Sequence, residues 1–157
     1  MPDRPPDRAE PGWLFRAFLI PMGLVQLAIG AWAVAGPRSF YDSFPFGRGW
    51  VEALPAYNEH LMRDVGGLWL GTAVLLLAAG WWLGRTLVAV ALVAWLAYAV
   101  PHTVYHSFNL EPLGTGDAIA NMVALAGTVV PAAALLLLVA RPRDQGHGGR
   151  ANAPPTP

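Results

Sequence analysis

Cysteine is absent from this 157-residue chain, and so is lysine. The first absence excludes disulfides, thiolate nucleophiles, Cys-ligated metal centres and covalently attached c-type haem. The second leaves all ten basic positions to Arg, a compositional bias from which no mechanism follows. Charge of either sign is scarce: charged residues make up 13% of the chain and hydrophobic residues 55%, whereas soluble domains carry about 25% charged residues. The formal net charge is zero, so no basic face is available for nucleic acid, and no such partner is expected. The chain does contain long uncharged runs, the mark of a protein that resides in a lipid bilayer.

Four runs are long enough to cross a membrane, which takes about 20 residues. They cover about 13–35, 65–83, 86–106 and 118–140. The first competes with a cleaved signal peptide, because Ala31-Trp32-Ala33 resembles a cleavage site. Signal h-regions run only about 7–15 residues, so a retained span is expected. Residues 1–12 and 141–157 are rich in Pro, Gly and charge and read as disordered tails. The predicted fold is therefore all-α, a four-transmembrane-helix bundle with a long first extracytoplasmic loop over residues 36–63. That loop holds Phe40, Tyr41, Phe44, Phe46 and Trp50, a density that suits headgroup depth, and residues 50–54 suggest a short surface helix. Gly84-Arg85 is too short a turn for anything but an antiparallel hairpin of the second and third spans.

Orientation follows from Arg placement. Arg4, Arg8, Arg16, Arg85, Arg141, Arg143 and Arg150 fall on the side of the termini, and only Arg38, Arg48 and Arg63 on the other. The positive-inside rule then puts both termini in the cytoplasm of a bacterial-type inner (plasma) membrane.

The stretch that carries chemistry closes the third span: Pro101-His102-Thr103-Val104-Tyr105-His106-Ser107-Phe108-Asn109. At about 100° per residue, Trp95, Tyr98, His102, Tyr105, His106 and Asn109 share a polar-aromatic stripe. The topology brings the start of the second span to the same height, with Glu59, His60, Arg63 and Asp64. It also brings the start of the fourth, with Asp117 as an expected N-cap and Asn121 on the inward face. The inward face of the second span is read as His60, Asp64, Gly67, Gly71, Val74 and Ala78, with Trp69 toward lipid. Ionisable groups at membrane depth face inward and pair. A shared pocket of Glu59, His60, Arg63, Asp64, Tyr98, His102, Tyr105, His106, Asp117 and Asn121 is therefore expected.

Several chemistries suit such a pocket. His102 and His106, at i and i+4, can bind one metal ion, and His60 with Asp64 or Asp117 can complete a tetrahedral Zn or Cu site. Haem b can be held by His60 and one His of the third span. A His–Asp pair, His102 with Asp117 or Asp64, can perform acid–base chemistry on a lipid or quinone. A network that only fixes helix register, with Glu59–Arg63 as a local pair, explains the same residues without a ligand.

Four spans, a first loop with Phe40-Tyr41, and Asn58, Arg63 and Gly66 at the entry to the second span together resemble the DoxX-like small four-helix membrane proteins. The resemblance covers residues 13–140. It implies a four-helix bundle and a place in a membrane oxidoreductase system with further membrane-complex partners, and it assigns no catalytic residue.

Overall fold

In lipid a backbone must satisfy its own hydrogen bonds, and a helix does so within one segment. Each long apolar run accordingly forms one helix. The computed structural model describes residues 7–54 and 56–142. These form α1 (Gly12–Ala35), α2 (Pro37–Ser43), α3 (Glu59–Trp82), α4 (Arg85–Ser107) and α5 (Thr115–Ala140). All but α2 are long and apolar enough to cross a membrane, and no strand forms among the described residues. The chain is a multi-pass, all-helical membrane protein whose outer surface meets lipid.

The connection between α1 and α3 is not the plain long loop that was expected. Pro37 stands at the first position of α2, where its fixed φ favours a helix start and its missing N–H costs nothing. The short helix buries Phe40 and Tyr41. The helix expected at 50–54 is instead a pair of turns, with Ala53 N–H donating to Gly49 O and Leu54 N–H to Val51 O. The second span starts at Glu59, a turn and a half before Val65, because the Asn58 side chain caps it by accepting the Leu61 N–H at 3.1 Å.

Helices α1 and α3 run antiparallel at a distance set by glycine. A Cβ on Gly30 would stand 2.9 Å from Gly66 O and 3.0 Å from Leu70 N. One on Gly23 would stand 2.7 Å from Leu77, and one on Gly80 2.7 Å from Ile20. Such contacts let the backbones approach, which is what drives helix association where lipid is as apolar as the side chains. Helix α3 also packs on α4, α4 on α5, and α5 lightly on α1. Phe15, Leu19, Leu76, Val88, Leu92 and Ala132 fill the core.

The N-terminal arm is partly within the fold. Ala9 is buried; its N–H donates to Leu83 O at 2.7 Å, and the Arg85 N–H donates to Asp7 O at 3.0 Å. Residues 7–9 thus strap the α3–α4 turn, although they were expected in a disordered tail. The rest of the two expected tails, 1–6 and 143–157, lies outside the described residues.

Candidate functional site

Two contacts set the register of the antiparallel α4–α5 pair. Arg85 Nη2 donates to Val139 O at 2.6 Å and Trp95 Nε1 donates to Thr128 O at 3.3 Å. Carried to the other end of the pair, the same register sets His102 level with Asn121 and His106 level with Asp117. Along α4 the expected stripe is a ladder of rings. Tyr98 stacks on His102 at 5.2 Å between centroids, His102 meets His106 edge-on at 4.6 Å, and Tyr105 meets His106 at 5.8 Å. Below them Trp95 leans on Tyr98 at 5.6 Å. From α3, Trp69 reaches Tyr98 at 6.5 Å, and Phe40 of α2 closes on Trp69 at 5.6 Å. Such edge-on and offset contacts are the favoured geometries of aromatic pairs.

At the end of this ladder two polar side chains are buried without partners. His106 is 7% exposed and Asn121 5%, and His106 Nδ1 and Asn121 Oδ1 make no hydrogen bond. A buried polar atom left unpaired costs about 1–3 kcal/mol, and such an atom in a native fold marks a functional role or an absent partner. Above them the first connection is fastened to α5. Arg48 Nε and Trp50 Nε1 both donate to Asp117 Oδ1, the latter at 2.9 Å. Asp117 is therefore not an N-cap: Gly114 holds that position, and Asp117 sits in the first turn, where its charge complements the helix dipole.

The contribution expected from α3 is not there. The His60 side chain is 87% exposed and that of Asp64 55%, and the two pair with each other at 3.2 Å. The buried face of α3 runs through Gly66, Ala73, Leu76 and Gly80. That is one residue, or about 100°, from the face expected through Gly67, Gly71 and Val74. Nothing lies within 4 Å of a Cβ placed on Gly67 or Gly71, and Trp69, expected toward lipid, faces the bundle. Glu59 and Arg63 pair locally, at 2.9 Å, and Arg63 Nη1 also donates to Val34 O at the end of α1.

Of the ten residues expected in one pocket, Tyr98, His102 and His106 form the ladder on α4, with Tyr105 half-exposed beside it, and Asn121 and Asp117 stand level with its end on α5. Among the described residues no group of three or more His, Asp or Glu stands together to hold a metal ion. The Zn or Cu site of His60, Asp64, His102 and His106 is not assembled, nor is a haem b site spanning His60 and α4. Neither α4 imidazole forms the expected acid–base pair: Asp64 is taken by His60, and Asp117 by Arg48 and Trp50. Sequence reasoning missed Trp69, Arg48 and Trp50. Only Trp69 had a signal, its position one turn from Gly66.

No protein-family model, curated protein or solved structure matches this chain.

Proposed function

We propose that the protein is a small redox-related component of the bacterial inner membrane, of the DoxX-like kind, with both termini in the cytoplasm. In this reading it binds a planar, lipid-soluble ligand of the quinone class at the outer end of α4 and α5. The observation that carries the reading is the pair of buried, unpartnered atoms, His106 Nδ1 and Asn121 Oδ1, at the end of a ladder of rings. An imidazole N–H donates to a carbonyl and an amide oxygen accepts from a hydroxyl, so the two suit a headgroup that carries oxygen in either state. The flanking Tyr98 and His102 faces suit its ring. A ligand dissolved in the bilayer reaches such a site laterally. A largely apolar site with a few convergent polar groups is the common form of a small-molecule site.

The test is extraction. Protein purified in mild detergent should carry a quinone or related isoprenoid, found by mass spectrometry of the organic extract, and an Asn121→Leu/His106→Leu protein should carry about tenfold less. Equal lipid content in a folded double variant would overturn the reading. Stoichiometric metal lost from that variant would overturn it equally.

A further inference from the structure

At the other end of the bundle, where the arm and the end of α5 meet, lies a cleft of about 200 Å³. Its floor is apolar, with Ala9, Leu138 and Val139, and its rim carries Arg85, Arg141 and Glu10. The Arg85 guanidinium is held in place: Nη2 donates to Val139 O at 2.6 Å and to Arg141 O at 2.8 Å. Its Nε stands 3.9 Å from Asp7, while no hydrogen bond is made by Nη1 among the described residues. Arg141 is exposed and its side chain makes no ion pair or hydrogen bond among those residues. The Glu10 carboxylate is engaged, accepting the Gly12 N–H at 3.2 Å. Arg16, at the same end, covers the last carbonyls of α3 by donating to Gly80 O and Trp81 O.

We propose that this cleft binds the phosphate of an anionic phospholipid between Arg85 and Arg141, with the glycerol and first acyl carbons over Leu138 and Val139. Three features favour a lipid over a free anion. Trp13, Trp81 and Trp82 are 71%, 73% and 64% exposed at this end, and exposed Trp marks the membrane–water interface, which sets the cleft at headgroup depth. Its apolar residues Leu138 and Val139 directly follow Leu137, which is exposed on α5. Among the described residues that line it, two guanidinium groups, Arg85 and Arg141, face one carboxylate, Glu10. Basic pockets between spans are recognised headgroup sites. The proposal stands independently of the ligand assigned to the outer end.

The test is native mass spectrometry of the full chain released from nanodiscs of equal phosphatidylglycerol and phosphatidylcholine. The expected result is preferential retention of phosphatidylglycerol. Loss of one guanidinium in Arg141→Gln should cut that preference about fivefold, and Arg38→Gln, on α2, should leave it unchanged. Arg85→Lys keeps the charge but loses the two-carbonyl hold, and should weaken retention while Arg141→Gln remains folded as a check. Equal retention of the two lipids, or the same loss from Arg38→Gln, would overturn the proposal. So would displacement of the bound lipid by inorganic phosphate alone, which would identify a free-anion site.

Discussion

Trp50 donates its indole N–H to Asp117 across 2.9 Å, fastening the first connection to the opening turn of α5. Arg48 donates to the same carboxylate oxygen. One acceptor thus gathers two donors from a segment far away in the chain, and it does so one turn before Asn121. Asp117 thus ties the loop to α5 one turn from Asn121.

That arrangement makes Trp50 and Asp117 energetically coupled. In a double-mutant cycle of Trp50→Phe and Asp117→Asn, read from unfolding in detergent, a coupling of roughly 0.5–1.5 kcal/mol is expected. The Arg48 contribution should be smaller, because its side chain is 51% exposed and solvent screens the pair. Strict additivity of the two substitutions would show that the loop is not latched there.

Glycines inside the α1–α3 contact and glycines outside it should behave oppositely. Gly30→Val, which pushes side-chain atoms into the Gly66 and Leu70 backbone, is expected to destabilise the bundle by about 1–3 kcal/mol. Gly67→Ala and Gly71→Ala meet open space and should be neutral or stabilising by roughly 0.5–1 kcal/mol, since Ala favours the helix. Thermal midpoints in detergent separate the two groups.

The exposed pair on α3 should count for little. His60→Ala and Asp64→Ala are each expected to change stability by less than about 1 kcal/mol, the ordinary range for an exposed ion pair. Neither should alter the ligand content of the purified protein.

Replacing the unpartnered polar groups should separate stability from function. Asn121→Leu removes a buried acceptor that nothing satisfies, so the thermal midpoint should hold or rise while bound ligand is lost. A large fall in the midpoint would mean that Asn121 is part of the fold's own hydrogen bonding.

Much of the fold was legible because hydropathy reports directly on what crosses a bilayer. The four spans and the antiparallel hairpin follow from run length and turn length, although the tight turn is Leu83-Gly84, one residue before the expected Gly84-Arg85, and Arg85 opens α4. The place of each residue along its helix was legible too: His60 and Asp64 open α3, His102 and His106 close α4, and Asp117 and Asn121 open α5. Rotation about the axis was not legible for α3. Its run from Val65 is apolar or small on every side, so two stripes, through Gly66 or through Gly67, compete with similar composition. The choice is made at the contact with α1, where Gly30 accepts Gly66, Gly23 faces Leu77, and Gly80 takes Leu19 and Ile20. With α3 turned by that contact, His60 and Asp64 point outward and Trp69 comes in. On α4 the choice was clear, because Trp95, Tyr98, His102 and His106 crowd one side. Asp117 misled for a different reason: it is a good N-cap by type, but distant Arg48 and Trp50 claim its carboxylate.

The central claim is that α4 and α5, not the polar face of α3, form the ligand site. It is tested most directly by titrating a short-chain quinone into the detergent-solubilised protein and following tryptophan quenching, since Trp69 and Trp95 flank Tyr98. Saturable quenching should appear in the parent protein and in His60→Ala, with affinity lowered about tenfold in Asn121→Leu. Quenching that fails to saturate, or that is lost with His60 and kept without Asn121, would contradict it.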